Sequence, residues 1–185
     1  MLLRTAASTV PQKRVKLFHS PRIEPFLAKI DNRRLREIQR RYAGSSDRYA
    51  KYADVEHWLK INLPRVQELK LDRSPLKQIL DLGCGAGFFL FLAKQFGHQC
   101  LGLDVGDFLL SNELIELFGL ERVTGRIRAF QPLPDFGRKF DLITAFSAAF
   151  NRSEDESKRY FPEEVRDFFL KRGARVDGER VSFRS

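Results

Sequence analysis

The sequence predicts an α/β fold, a mostly parallel sheet of about five strands with flanking helices, and three observations predict it. From residue 76 onward, short apolar runs alternate with longer stretches of helical periodicity. The first run, Lys77–Leu82, empties into a glycine cluster that opens a helix, and the second ends on the acid Asp104. Strands that alternate with helices pair in parallel through right-handed crossovers.

The elements follow in order. Positions 1–22 carry breaker signals at Ser8-Thr9, Pro11 and Ser20-Pro21 and little periodicity, so they are expected to be poorly ordered. Residues 24–41 place Phe26, Leu27, Ile30, Leu35 and Ile38 on one side of a basic helix, which Gly44-Ser45-Ser46-Asp47 interrupts. Asp54 then caps a helical pattern carrying Val55, Trp58, Leu59, Val66 and Leu69. Pro64 inside that pattern implies either a kink or two helices. Beyond it come strand Lys77–Leu82, helix Phe88–Phe96, strand Gln99–Asp104, helix Phe108–Phe118 and strand Val123–Phe130. Pro132 and Pro134 mark a loop before strand Lys139–Phe146, helix Pro162–Lys171 and strand Glu179–Phe183.

Charge divides the chain. Residues 1–48 hold 12 Lys/Arg against 4 Asp/Glu, while the other 137 hold 21 against 20. This reads as a basic N-terminal extension, 1–48, ahead of an α/β domain, 49–185. The basic arm suits nucleic acid, an anionic membrane surface or a phosphorylated substrate. A solvated face without an anionic partner is the preferred reading, because aromatics are not interleaved with the bases. The first 20 residues hold four bases and no acid, which leaves an organelle-targeting peptide open, although a cytoplasmic location is expected. No apolar run approaches the roughly 20 residues of a membrane span. The two cysteines, Cys84 and Cys100, form no CxxC pair and the three histidines are scattered, so no metal site is expected.

The segment that carries chemistry is Ile79-Leu80-Asp81-Leu82-Gly83-Cys84-Gly85-Ala86-Gly87-Phe88. Alternating glycines between a strand and a helix let backbone approach a ligand closely, and the helix start offers free N–H groups. Asp104, at the tip of the second strand, is placed to accept two hydrogen bonds from a ribose diol. The nearest rival is a dinucleotide site, but its G-x-G-x-x-G spacing would need glycine where Phe88 stands.

The stretch Ile79–Asp104 resembles the first two motifs of class I S-adenosylmethionine-dependent methyltransferases, and Phe140–Ala145 looks like their fourth strand. The resemblance covers roughly residues 76–183 and implies a Rossmann-like fold with S-adenosylmethionine as cofactor. It implies that Gly83, Cys84 and Gly85 line the methionine part, with Gly87 completing the loop. Asp81 would orient the amino group and Asp104 the ribose. Val105, Ala129 and Phe130 would lie near the adenine, and Ala145 and Phe146 near the methyl group. Seven strands are usual in that family, the last two a hairpin; this sequence reaches Ser185 at its fifth, so the hairpin is expected to be lacking. The fifth strand would then be an edge open to self-association, covered by the arm, by another chain or by nothing.

Methyl transfer from an activated sulfonium needs alignment more than acid–base help, so the absence of an obvious base is no objection, and no catalytic residue is assigned. The strand-four sequence Ala145-Phe146-Ser147 lacks the tetrapeptide of amino-methylating nucleic-acid enzymes, and no Pro-Cys nucleophile occurs. Asn151 either orients an acceptor or caps a loop, and His57 and His98 read as surface residues. Trp58 with Tyr49 and Tyr52 either closes over the cofactor or packs helices. The expected function is methyl transfer to a small-molecule or glycan acceptor, with nucleic acid not favoured. The alternative is a non-catalytic relative that binds the cofactor or a partner without turnover.

Overall fold

Strand β1 (Gln78–Leu82) has both faces covered, because Ile79 and Leu80 point to opposite sides and each is at most 1% exposed. The computed structural model describes residues 22–127 and 132–146, together with the backbone of 174–177 and 180–183. Its four-stranded sheet runs in the order β3-β2-β1-β4, every pair parallel. Here β2 is Gln99–Asp104, β3 is Glu121–Thr124 and β4 is Leu142–Thr144. The chain leaves β1 toward β2 and β3 on one side and returns to β4 on the other, so the sheet reverses direction beside β1. Open parallel sheets hold ligands at that reversal, outside the carboxyl ends of the strands.

One sheet face packs on helices. Ile79 joins a core with Leu59, Leu63 and Val66 of α3 (Val55–Glu68) and with Phe88–Ala93 of α4 (Phe88–Gln95). Six successive residues of α4 are buried, as expected of a helix enclosed on all sides. Its crowding by α3 and by α5 (Leu109–Leu117) supplies the cover. On the second face, among the described residues, Leu80, Leu101 and Leu103 pack under Phe136 and Phe140 from the loop before β4.

Residues 24–41 form two helices and not one. α1 (Glu24–Leu27) stops, and α2 (Asn32–Tyr42) restarts where the Asp31 carboxylate accepts the backbone N–H groups of Arg33 and Arg34 at 2.9 and 3.1 Å. Local capping chemistry overrides the continuous apolar stripe here. Ile23, Ile30, Leu35 and Ile38 still enter the main core. Arg34 and Arg41, seven residues apart on one face of α2, pair with Glu116 and Glu113 of α5, which sets the two helices antiparallel. Asp54 caps α3 by accepting from His57 N–H at 3.1 Å, and the helix runs through Pro64 as one.

The remaining differences lie late in the chain. β3 begins at Glu121 and ends at Thr124, where the Gly125 amide makes the last ladder bond to the Asp104 carbonyl. β4 is confined to three residues within the expected 139–146. Among the described residues the sheet therefore has four strands. The expected fifth strand appears as β6 (Arg180–Phe183), paired antiparallel with β5 (Ala174–Asp177) in a separate two-stranded sheet. Residues 174–177 are the other arm of that hairpin. The expectations for positions 1–21, for Asn151 and for helix 162–171 lie outside the described residues.

Candidate functional site

At the carboxyl edge of the sheet, the loop after β1 is laid across the end of β2. The N–H groups of Gly83 and Cys84 both donate to the Leu103 carbonyl, at 2.7 and 3.3 Å. Gly85 N–H donates to Oδ2 of Asp104 at 2.8 Å, and Val105 N–H donates to Oδ1 at 2.8 Å. Gly83, Gly85 and Gly87 have φ of 70°, 55° and 77°, a left-handed path that side-chain-bearing residues avoid. The space above Gly85 is open: a Cβ there would meet no heavy atom within 4 Å. Gly87 is different, since a Cβ would strike Leu120 and Ile115 at 2.5 and 2.7 Å. Its role is to let the start of α4 approach α5.

Asp81 sits one strand over, 3% exposed, on the sheet face that α3 and α4 cover. Thr144 of β4, its register partner, donates its hydroxyl to Asp81 Oδ1 at 2.8 Å. Burial pushes the Asp81 carboxyl up to about 7, against the Thr144 hydrogen bond and the positive charge of Arg65, which pull it down. On the other side of Asp81 in register is Gly102. The Cys84 side chain lies over it, so close that a Cβ on Gly102 would fall 2.4 Å from Sγ. Cys84 therefore turns its thiol to the sheet and its backbone to the hollow. Burial drives that thiol well above its ordinary range.

Aromatic side chains wall the approach to Asp104. Tyr49 lies against Phe108 with ring centroids 3.7 Å apart, and Tyr52 packs on Trp58 at 4.8 Å. Burial raises the Tyr52 hydroxyl, and the charge of Asp104 adds to it, so the phenol is within electrostatic reach of that acid. Trp58 stacks on Phe88 and donates its indole N–H to the Lys51 carbonyl at 2.9 Å, pinning the short turn Ala50–Ala53.

Of the other residues singled out in sequence, Ala145 is exposed just past β4. Phe146 is half-buried against Phe89 at 4.8 Å. Ala129 and Phe130 lie outside the described residues. His57 is on the helix surface as expected, but His98 is not a surface residue. It is 3% exposed, with Nδ1 accepting from Lys77 N–H at 3.1 Å and Nε2 donating to the Leu71 carbonyl at 2.8 Å. Its turn is buried because Leu71 folds back over it. A cavity of about 270 Å³ lies near His98 at the opposite edge of the sheet, flanked by Lys94 and Arg138. Lys94 already donates to the Gly119 carbonyl and Arg138 pairs with Glu121. Among the described residues no group of three or more His, Cys, Asp or Glu could hold a metal ion, and no helix is long and apolar enough to cross a membrane.

Sequence reasoning missed Thr144 and Arg65 as site residues. Thr144 meets Asp81 through strand pairing and Arg65 acts on it through its charge from α3, relationships that leave no signature in local sequence.

Residues 73–172 match the family model described as a methyltransferase domain. A tRNA U34 carboxymethyltransferase of Campylobacter hominis is 31% identical over 90 residues, covering 42% of this chain and 28% of that protein. Proteins of the same name from two Campylobacter jejuni strains are 28% identical over 80 residues, with the same coverage. The chain thus spans under a third of the length of these curated relatives. Among solved structures, Streptomyces venezuelae DesVI gives a TM-score of 0.39 at 22% identity, covering 54% of this chain and 41% of that one. A SAM dependent methyltransferase from Archaeoglobus fulgidus gives 0.29 at 23% identity, covering 37% and 29%.

Proposed function

From a chain that belongs to the methyltransferase domain family, matched over more than half its length, we propose S-adenosylmethionine-dependent methyl transfer centred on the Gly83–Gly87 loop. The observation that carries it is the Asp104 carboxylate held by two backbone N–H groups. A carboxylate has about four lone-pair sites, so half remain to receive a vicinal diol. The open space over Gly85 lies next to it. The residues fit an adenosyl sulfonium: Asp104 takes the ribose, the Gly83–Gly85 backbone runs beside the methionine part, and Asp81 faces the α-ammonium. Val105 flanks the base, and Ala145 stands on the acceptor side.

When bound, the cofactor supplies an already activated methyl group. This chain's residues orient it and keep water out, with Tyr49, Tyr52 and Phe108 closing the ribose side. No side chain is assigned as a general base.

For the acceptor we propose RNA in place of the small molecule or glycan expected from sequence. Two observations support it. The curated relatives carry the name of tRNA-modifying enzymes. In addition Arg33, Arg36 and Arg40, spaced i, i+3, i+7, are exposed on α2 while Arg34 and Arg41 are turned to α5. Such a row suits phosphate contacts, whose affinity falls steeply with salt.

Calorimetry with S-adenosylhomocysteine tests the cofactor site: saturable binding supports it, and none at millimolar concentration overturns it. Titration of fluorescent tRNA across a salt series tests the acceptor. The Arg36→Glu/Arg40→Glu variant should bind more weakly and with a shallower salt slope; an unchanged slope returns the acceptor to the small-molecule or glycan class.

A further inference from the structure

The loop that leaves β2 is tied down by a chain of contacts that starts on β3. Arg122 donates from Nη2 to Asn112 Oδ1 at 2.6 Å. Asn112, in the first turn of α5, donates from Nδ2 to the Gly106 carbonyl at 3.1 Å. A guanidinium has donors only, so it fixes the amide with its oxygen toward Arg122 and its NH2 toward Gly106. Gly106 is at φ 73° and pressed on β3, where a Cβ would meet Thr124 at 3.1 Å. Its neighbour Val105 gives the N–H that Asp104 Oδ1 accepts. Arg122 Nη1 is buried with no hydrogen-bond partner among the described residues, a desolvation cost that an apolar side chain would avoid. The Arg126–Asp107 pair, which ties the same loop at 3.4 Å, is exposed and screened by water.

Gly106 follows Val105 directly, so holding its carbonyl sets the path on which the Val105 N–H reaches Asp104. We propose that Arg122 and Asn112 are positioning residues. Acting through Gly106, they hold loop 105–108 in the turn that keeps Val105 on Oδ1 and leaves the other lone pairs of the carboxylate for the diol. The diol rests on the cofactor reading above; the loop geometry does not. Arg122 acts by orienting the amide. Without the guanidinium the amide is free to turn over, which would set its oxygen against the Gly106 carbonyl and release the loop.

Amide hydrogen exchange on the unliganded chain tests the loop, and calorimetry tests what the loop does. In Arg122→Met and in Asn112→Leu the Val105 amide should exchange about fivefold faster, the scale of one ordinary hydrogen bond. Gly85, held by the other carboxylate oxygen, should be unchanged. The calorimetry pairs S-adenosylhomocysteine with its 2′,3′-dideoxy analogue, which lacks the diol. The unaltered chain should prefer the first, and that preference should fall about fivefold in both variants. Arg122→Lys, which still offers Asn112 a donor, should recover part of it, and it carries both readouts if Arg122→Met does not fold. The double variant should lose no more than Asn112→Leu alone, because both residues act through one amide. Unchanged Val105 exchange overturns the proposal, as does equal loss of both ligands, the mark of a merely structural role. Additive losses in the double variant would detach Arg122 from Asn112 and overturn the relay. If the unaltered chain binds neither ligand while Val105 exchange responds as expected, the cofactor reading fails and the loop tie stands.

Discussion

Gly85 and Asp104, nineteen residues apart, are joined by a 2.8 Å hydrogen bond from the backbone N–H of one to the carboxylate of the other. The bond ties the loop after β1 to the tip of β2, so the acid expected to hold a ribose also shapes the loop expected to pass beside the sulfonium.

Removing that carboxylate should therefore have two effects. Asp104→Ala loses the acceptors for the diol and leaves the Gly85 and Val105 amides without their partner. Binding of S-adenosylhomocysteine should weaken by roughly 1–3 kcal/mol, the range for hydrogen bonds to a charged group. Asp104→Asn, which keeps one acceptor oxygen, should fall between. Isothermal titration of the three proteins checks the order, and near-native affinity in the alanine variant would mean the pocket lies elsewhere.

The three glycines of the loop should separate by phenotype. Gly85→Val puts methyl groups into open space, so its folding cost is mainly that of a side chain at φ 55°, about 1–2 kcal/mol. Its main loss should be ligand affinity. Gly87→Ala drives a Cβ into Ile115 and Leu120, so it should lower Tm while the folded fraction still binds ligand. Thermal melts with and without S-adenosylhomocysteine distinguish them: ligand should raise Tm for Gly87→Ala and not for Gly85→Val. The reverse pattern would exchange their roles.

What could be read in advance depended on how local the cause was. β2 is bounded as expected at Gln99 and Asp104, because a short apolar run between a turn and an acid has few other uses. The Asp54 cap was equally legible, its carboxylate acting three residues away. The break at Asp31 was hidden by apolar spacing that continued across it. His98 reads as a polar turn residue until Leu71 and Lys77 arrive from elsewhere to satisfy both ring nitrogens. Thr144 meets Asp81 only after β4 pairs with β1. The positions of Asp81, Gly83, Gly85 and Asp104 were legible as a spacing, while their partners belong to tertiary structure.

Gly102 gives a prediction about packing with no ligand involved. It admits the Cys84 side chain over β2, and a Cβ would sit 2.4 Å from Sγ and 3.1 Å from Cys84 Cβ. Gly102→Ala should cost about 1–3 kcal/mol, as other overpacked sites do. Cys84→Ala removes the sulfur and should recover part of that loss in the double variant. A denaturant double-mutant cycle should then show coupling of at least about 0.5 kcal/mol. Strict additivity would mean the two residues do not touch.

The pH dependence follows from Asp81, whose carboxyl burial pushes up to about 7 from an ordinary 3.8. Between those values the native chain holds a proton that the unfolded chain has released. Stability of the unliganded protein should therefore fall as pH rises from about 4 to about 7, and change little from this source outside that window. Asp81→Asn should flatten the fall, since the amide oxygen still accepts from Thr144 and no buried charge develops. Ligand affinity should move the opposite way. An α-ammonium facing Asp81 favours the ionised carboxylate, so below pH 7 binding must first remove the proton. The affinity of S-adenosylhomocysteine should then rise by up to about tenfold per pH unit toward 7 and level off above it. Calorimetry in two buffers of different ionisation enthalpy should show proton release near pH 6, and Asp81→Asn should abolish it. Binding that is pH-independent between 5 and 8 in the unaltered chain would show that Asp81 does not face the ligand's charge.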